Sequence, residues 1–312
     1  MEKKTKGWIN GFIGMLIFSG SLPATRLAVE SFDPVFLTVA RACIAGALGL
    51  VLLLAFRERR PARQEIFPLL IVAAGVVIGF PLLTAFALLY ITSAESLAFI
   101  GLLPIATAIF GMVRGGEHPP RAFWLFAITG SAIVVIYALT RESSVSIAGN
   151  LLMLAAIVVC GLGYAEGAKL SRRLGGWQVI SWALVLSLPL MLMLLILYLP
   201  TVPNNVKASA WSGFAYVSLF SMLIGFVFWY RGLVQGGIAA IGQLQLLQPF
   251  FGLFIAAVLL HEAVERTMVM VAIAAVLCVA GAKRFSSLPL AKRERADMRL
   301  RLMLKRISQK LS

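Results

Sequence analysis

Residues 177–199 read WQVISWALVLSLPLMLMLLILYL, a run of 23 residues without one charged side chain. A helix of that length rises about 34 Å at 1.5 Å per residue, which covers the roughly 30 Å hydrocarbon core of a bilayer. A helix on the surface of a soluble protein would instead carry polar residues along one face. The run therefore predicts a transmembrane helix.

The same excess of apolar residues extends over the whole chain. Of its 312 residues, 60% are hydrophobic and only 13% are charged, and the mean hydropathy is +0.93. Soluble domains have about a quarter of their residues charged. This composition argues against a soluble enzyme, a nucleic-acid-binding domain and a disordered chain.

Charges, prolines and polar clusters divide the chain into ten apolar spans, each long enough to cross a bilayer as a helix. The least polar break is Ile91-Thr92-Ser93, between the third and fourth spans. We predict an all-α integral membrane protein with ten transmembrane helices. The predicted spans are 8–29, 34–56, 67–90, 94–113, 122–140, 147–168, 177–199, 211–230, 237–260 and 267–284.

The positive charges predict how these spans are oriented. With the N-terminus in the cytoplasm, the cytoplasmic segments between spans are rich in Lys and Arg, whereas the external loops hold only Arg141, Lys207 and Arg266. Ten spans also return the basic C-terminal segment to the cytoplasm. Because Lys and Arg are concentrated on the cytoplasmic side of membrane proteins, we predict that both termini are cytoplasmic.

The last segment, residues 285–312, is predicted to be a basic cytoplasmic tail. Leu300, Ile307 and Leu311 fall on one helical stripe among many Lys and Arg residues. This pattern is typical of a helix that lies on an anionic membrane surface. An unstructured basic tail is the alternative that the sequence leaves open.

Two landmarks recur at a fixed spacing and indicate an internal repeat. Pro104 and Pro249 lie within the fourth and ninth spans, and Glu117 and Glu262 are likewise 145 residues apart. The chain therefore divides into five-helix repeats at residues 1–140 and 147–284. Because five is odd, the repeats are predicted to be inverted in the membrane, an arrangement typical of alternating-access transporters.

This plan and several local motifs resemble the drug/metabolite transporter superfamily, in its EamA-type ten-helix branch. The resemblance covers residues 8–284 and rests on residues 18–26, on Arg41, and on a proline followed by a glutamate corner in each half. The usual Leu-Gly-Glu corner of the family reads Gly115-Gly116-Glu117 and Leu260-His261-Glu262 here. The resemblance implies a secondary transporter of the bacterial inner membrane that exports amino acids or related small metabolites.

The predicted substrate site lies among polar and aromatic side chains near the middle of the membrane. Gln245 and Gln248 share one face of the ninth span, next to Pro249, which removes a backbone donor. An amide there suits a zwitterionic or amide-like substrate, and a hydrogen bond between helices is the alternative. With residues on spans that line the cavity of similar transporters, the predicted set is Ser19, Phe80, Thr84, Tyr164, Ser221, Gln245 and Gln248.

Three charged residues are predicted to take part in coupling or gating: Arg26, Glu95 and Glu166. Arg26 either reaches the membrane interface, pairs with Glu95 or binds a substrate carboxylate. Glu166 either pairs with Lys169 or Arg172, one turn further on, or carries a proton.

A fourth charge inside a span, Arg41, is expected to have a structural role. It lies about seven residues into the second span, close in sequence to Glu30 and Asp33. We expect an ion pair with one of these two carboxylates.

The sequence predicts no enzyme, cofactor or metal. The phosphate-binding motif GxxxxGK[ST] is absent, and the two histidines, His118 and His261, fall on opposite sides of the predicted membrane, where they do not share a metal. Cys43, Cys160 and Cys278 lie far apart in apolar runs. The predicted partners are a small-molecule substrate and the lipid bilayer, with no nucleic acid.

Several alternatives remain open at this stage. Uptake or passive facilitation uses the same architecture as export, and an integral-membrane transferase is a remote alternative. Because one chain contains both repeats, we expect a functional monomer.

Overall fold

The computed structural model describes residues 2–91, 96, 99–139, 146–199, 205–260 and 266–286. Over these ranges the chain is built from helices joined by short turns. The α-helices, in chain order, are α1 (Glu2–Ser19), α2 (Ser21–Val29), α3 (Pro34–Ala55), α4 (Arg63–Val72), α5 (Phe80–Ala87), α6 (Leu103–Val113), α7 (Arg121–Leu139), α8 (Ile147–Leu174), α9 (Gly176–Tyr198), α10 (Ala208–Tyr216), α11 (Gly225–Gly236), α12 (Ile238–Gly242), α13 (Gln248–Leu260) and α14 (Arg266–Ser286).

Three irregular helical segments interrupt the longer helical stretches. A first π segment (Ala73–Gly79) joins α4 to α5, and a second π segment (Val217–Ile224) joins α10 to α11. A 3₁₀ segment (Gln243–Leu247) joins α12 to α13. Such departures from α geometry often mark functional positions within helices.

Six helical stretches in the described part of the chain are long and apolar enough to cross a membrane. They correspond to the first three predicted spans and to the sixth, seventh and eighth. They are Lys3–Val29, Pro34–Ala55, Arg63–Ala87, Ile147–Leu174, Gly176–Tyr198 and Ala208–Gly236. The fourth and fifth predicted spans contain the shorter apolar helices Leu103–Val113 and Arg121–Tyr137, and the ninth contains α12, the 3₁₀ segment and α13.

The helix contacts support the internal repeat. Exchanging the two halves maps α1 onto α8, α6 onto α13, and the third predicted span onto the eighth. The contact of α1 with α11 has its counterpart in that of α8 with α5, and the contact of α8 with α6 has its counterpart in that of α1 with α13. The pairs α3–α9 and α7–α14 join equivalent elements of the two halves.

The irregular segments obey the spacing of 145 residues that the sequence landmarks indicate. The first π segment, shifted by 145 residues, falls inside the second. The first residue of α6, Leu103, shifted in the same way, is Gln248, the first residue of α13. Both helices carry proline at their second position. A backbone N–H in the first turn of a helix has no acceptor within the helix, so the N–H that proline lacks is not needed there.

Glycines bring α1 and α11 into direct backbone contact at three levels. A Cβ atom on Gly232 would lie 2.6 Å from the backbone nitrogen of Gly11 and 2.7 Å from its Cα. Gly7 and Gly14 lie equally close to the backbone of α11 near Gly236 and Trp229. Small residues of this kind allow close helix packing in membranes, where the hydrophobic effect does not drive helices together.

Gly232→Ala is therefore expected to destabilise the protein by about 1–3 kcal/mol, because the added methyl group meets backbone atoms that cannot rotate away. The midpoint of thermal unfolding in detergent measures the effect. Ile9→Ala is the control, because the Ile9 side chain on the same helix α1 is 55% exposed. Equal midpoints for the two variants would contradict this account of the interface.

Candidate functional site

A small cavity of about 30 Å³ lies between the two halves of the protein. It is lined by Phe18, Ser21, Leu22, Arg41, Val76, Phe80, Pro81, Leu103, Tyr164, Ser221, Phe226 and Gln248. This volume accommodates about one water molecule and not an amino acid. Access of a larger molecule therefore requires the surrounding helices to separate.

Equivalent positions of the two repeats line this cavity. The pairs separated by 145 residues are Val76 with Ser221, Pro81 with Phe226, and Leu103 with Gln248. At each of these positions the first half contributes an apolar residue, whereas the second half contributes a hydroxyl, an aromatic ring and an amide. The two walls of the cavity are therefore formed by equivalent positions of the two repeats, but one wall is apolar and the other has polar and aromatic side chains.

Four residues form what we call the polar centre: Ser21, Arg41, Ser221 and Gln248. The Ser21 hydroxyl donates to the Ser221 oxygen at 2.8 Å, and Arg41 Nη2 donates to the same oxygen at 3.3 Å. The Gln248 amide nitrogen donates to the Phe18 carbonyl at 3.3 Å. These bonds connect the first and second predicted spans to the eighth and ninth.

The break between α1 and α2 provides backbone acceptors for this centre. Helix α1 ends at Ser19, and Pro23, four residues on, has no N–H for the Ser19 carbonyl. The Tyr216 hydroxyl donates to the Ile17 carbonyl at 2.6 Å, one residue before the Phe18 carbonyl that accepts from Gln248. Side chains of the second repeat therefore satisfy carbonyls at the break in the first span.

Aromatic rings form the other side of the cavity. The ring of Phe18 lies 5.0 Å from that of Phe226 and 6.5 Å from that of Tyr164, measured between centroids. Trp229 packs against Tyr164 at 5.4 Å. Phe18 and Tyr164 are nearly parallel and Phe226 stands edge-on to Phe18, so the rings form an apolar wall next to the polar centre.

Of the predicted substrate-binding residues, Phe80, Tyr164, Ser221 and Gln248 line the cavity. Ser19 and Thr84 are buried, but their hydroxyls donate to carbonyls of their own helices, to Met15 at 2.9 Å and to Phe80 at 2.7 Å. Helix-internal bonds of this kind turn the hydroxyl away from the cavity.

Gln245 is fully buried and does not line the cavity. It lies in the 3₁₀ segment, in which each residue rises about 2 Å, so it is about 6 Å below Gln248 along the helix axis. In an α-helix the same spacing would give about 4.5 Å, and the role of Gln245 in substrate binding stays a prediction.

The structure corrects the expected ion pair of Arg41. Asp33 instead caps α3, since its Oδ1 accepts from the backbone N–H groups of Val35 at 2.8 Å and of Phe36 at 3.0 Å. Glu30 lies 3.9 Å from Lys207. The N-terminus of α3 holds the Asp33 carboxylate, and Arg41 lies two turns deeper, at the cavity.

Arg41, Ser21, Phe18 and Phe226 were not in the predicted set. A charged residue inside a membrane span is itself a signal of function, so Arg41 was recognisable in the sequence. The contributions of Phe18 and Phe226 depend on tertiary packing and carry no separate sequence signal.

Arg26 lies on the side of the bundle where α2 meets the end of α5. Its Nη1 donates to the Leu88 carbonyl at 2.7 Å. Glu95, the partner considered for it, lies outside the described residues. The Leu88 carbonyl, at the C-terminus of α5, is a partner that the sequence analysis did not consider.

Glu166 pairs with Arg114 and not with Lys169 or Arg172. The Arg114 Nε to Glu166 Oε2 distance is 2.7 Å, and the Glu166 side chain is 2% exposed. Lys169 and Arg172 lie on the exposed side of α8, whereas Glu166 faces the interior, where α6 ends.

The structure shows what the glutamate of the first corner, Glu117, binds. Its carboxylate accepts from the backbone N–H groups of Ile238 at 2.6 Å and of Ala239 at 2.8 Å. These are the first residues of α12, so the corner of the first repeat caps a helix of the second and places negative charge at the positive end of its dipole. Arg172 lies 4.0 Å from the same carboxylate.

Together these contacts form what we call the basic-end closure: the Arg114–Glu166 pair, the Glu117 cap on α12, and Arg172. The start of α1 lies at the same end of the bundle, since Lys4 lines a surface pocket together with Glu117. Between this closure and the cavity, Tyr230 donates to the Gly163 carbonyl at 3.2 Å. Tyr230 and Glu166 are both buried, at 0% and 2% exposed, so this end of the bundle is tightly packed.

A helical bundle of two repeats, with apolar spans and a buried polar cavity between them, is the architecture of a membrane transporter. Residues 5–139 and 147–282 each match the model of the EamA-like transporter family. The chain belongs to this family.

Its relatives are transporters as well. It is 65% identical over 286 residues to YdeK of Bacillus subtilis (strain 168), described as an uncharacterized transporter; the match covers 92% of this chain and all of that relative. A second uncharacterized transporter, from Archaeoglobus fulgidus, is 23% identical over 80% of this chain and 87% of its own length.

One solved crystal structure has the same fold. It shares 21% sequence identity with this chain at a TM-score of 0.72, and the match covers 89% of this chain and 96% of the other.

Proposed function

We propose that this protein is a secondary transporter that exports amino acids or related small metabolites across a bacterial cell membrane by alternating access. The observation that carries the proposal is the cavity itself, which is lined by equivalent positions of two repeats and contains Arg41, Ser221 and Gln248. Family membership supports transport as the activity.

The proposed topology has ten transmembrane helices, with both termini in the cytoplasm. The repeats at residues 1–140 and 147–284 are inverted, and the tail at 285–312 stays in the cytoplasm. On this topology the basic-end closure faces the cytoplasm, as the distribution of Lys and Arg requires. The lipid bilayer surrounds the bundle, and one chain with both repeats suffices as a functional monomer.

The mechanism follows from the repeats. We infer that the basic-end closure blocks the cytoplasmic path in this conformation, in which Arg114 and Glu166 are paired at 2.7 Å and the cavity is too small for cargo. When the two repeats exchange their conformations, the closure opens and the opposite end closes around the same site. The breaks between α1 and α2 and between α12 and α13 are suited to act as hinges, because local helix geometry changes there.

Two functional alternatives use the same site. Uptake and passive facilitation differ from export only in the driving gradient, since alternating access is reversible. A transferase is disfavoured because the described residues that line the cavity include Arg41 and Tyr164 as ionisable groups and no carboxylate.

Radiolabelled counterflow in proteoliposomes tests the proposal. Liposomes preloaded with an unlabelled amino acid are expected to accumulate the labelled form transiently, with saturable kinetics. A panel of amino acids and related hydroxy acids identifies the cargo. If none of these compounds shows saturable exchange, the result contradicts the proposed function.

Proton coupling is tested in the same vesicles by an imposed pH gradient. If Glu166 or Glu95 carries a proton, net flux follows the gradient and is lost in the corresponding glutamine variant. Flux that is independent of pH identifies exchange or facilitation instead.

A further inference from the structure

We propose that Arg41 binds a carboxylate of the cargo and that this protein therefore selects small monocarboxylic acids, whether or not they also carry an ammonium group. The inference rests on the proposed function and deepens it, since it names the chemical group that the cavity recognises. It is carried by the burial of Arg41, its hydrogen bonding and its place in the cavity wall.

Arg41 is a buried cation without a carboxylate partner among the described residues. Arg41 is 6% exposed, and its only hydrogen bond in the described structure is to the Ser221 hydroxyl. The Nε atom has no hydrogen-bond partner. A buried guanidinium that is not paired with an anion is costly within a protein and more so within a membrane.

The free donor edge of Arg41 suits a carboxylate. Guanidinium and carboxylate groups form two parallel charge-assisted hydrogen bonds, which are about twice as strong as neutral ones. Ser21 and Ser221 lie at the same place, and each hydroxyl can turn to donate to an anion. One guanidinium balances one negative charge, so a monocarboxylate fits the site better than a phosphate dianion.

The rest of the lining indicates the remainder of the molecule. The Gln248 amide provides a second polar contact, suited to an amino or hydroxyl substituent. Phe18, Phe80 and Phe226 provide an apolar surface for a side chain. Amino acids and hydroxy acids with an apolar side chain match this combination.

A purely structural role for Arg41 makes a different prediction. If the guanidinium only ties α3 to the second π segment, its replacement lowers stability but does not change the preference for acids over their amides. Selectivity between matched acids and amides therefore separates the two roles.

The test uses purified protein in nanodiscs and the midpoint of thermal unfolding as the binding readout. The probes are L-leucine, L-phenylalanine and phenyllactate, each beside its primary amide, with phenyl phosphate as the dianion. The acids are expected to raise the midpoint of the wild type, whereas the amides and phenyl phosphate leave it unchanged. Arg41→Gln is expected to weaken acid binding by roughly 30-fold or more, with Arg41→Lys intermediate and Thr84→Val unchanged.

Each result decides the question. Amides that bind as well as acids, acids that do not bind, or an Arg41→Gln variant that keeps its preference for acids would each overturn the inference. The wild-type comparison of acids with amides does not depend on the folding of any variant. Counterflow with the same compounds separates this inference from the proposed function. If acids bind but are not exchanged, the proposed transport function is wrong and the inference about Arg41 stands. If amides are exchanged as well as acids, the inference about Arg41 is wrong and the proposed transport function stands.

Discussion

Gln248→Leu is expected to reduce counterflow roughly 30-fold or more while the protein remains folded and inserted. The substitution removes the amide that lines the cavity and leaves the Phe18 carbonyl without its donor, and a buried polar group without a partner costs about 1–3 kcal/mol. Leucine fits the position, because the equivalent residue of the first repeat, Leu103, lines the same cavity. Counterflow in proteoliposomes measures the loss, and size-exclusion chromatography in detergent verifies the fold.

Thr84→Val is the matched control for this prediction. Thr84 is also a buried polar residue, but its hydroxyl donates to carbonyls of its own helix at 2.7 and 3.1 Å and does not line the cavity. The variant is expected to retain most of the wild-type counterflow. Similar losses in both variants would mean that transport depends on general packing and not on the polar centre.

Arg114→Gln is expected to open the end of the bundle that the basic-end closure occupies and to expose the native Cys160. This thiol is 1% exposed and lies six residues from Glu166 on α8, about 9 Å deeper. Loss of the Arg114–Glu166 pair leaves a buried carboxylate unpaired, which favours the open form. A change of about 1.4 kcal/mol corresponds to a roughly tenfold faster alkylation by N-ethylmaleimide, measured with Cys43 and Cys278 replaced by serine.

Arg59→Gln is the control, because it removes another arginine–glutamate pair. The Arg59–Glu65 distance is 3.1 Å, but the Arg59 side chain is 60% exposed, and exposed pairs contribute little to stability. The rate at which N-ethylmaleimide alkylates Cys160 in the Arg59→Gln variant is expected to match the rate in the protein with both Arg59 and Arg114 intact. An unchanged rate in Arg114→Gln would show that this pair does not hold the closure.

The two repeats have equivalent helices but different side chains at the cavity. Where the repeats meet at the cavity, the first half keeps Val76 and Leu103, and the second half has Ser221 and Gln248 at the equivalent positions. The backbone therefore retains the pseudo-symmetry that an exchange of conformations needs. The side chains provide an asymmetric surface, polar on one wall and apolar on the other.

The sequence predicted part of this site. Of the predicted substrate-binding residues, Phe80, Tyr164, Ser221 and Gln248 line the cavity, and Ser19, Thr84 and Gln245 are buried next to it; that they bind a substrate stays a prediction. A Ser or Thr hydroxyl within a helix either faces a cavity or donates to the backbone carbonyl four residues earlier. Sequence periodicity does not distinguish these two arrangements. The pairing of Glu166 with Arg114 was missed because the two residues are 52 positions apart, beyond the reach of helix spacing rules.

Local hydropathy and the repeated landmarks were enough to indicate a helical membrane protein built from two repeats, because the need to bury apolar residues in lipid acts on each segment separately. Only the tertiary structure decided which polar groups meet. The bonds of Ser21 to Ser221, of Arg41 to Ser221 and of Gln248 to Phe18 join residues that are 200, 180 and 230 positions apart. Such contacts depend on the packing of one repeat against the other, and that packing brought Arg41 to the cavity and away from the acidic residues that precede it in the chain.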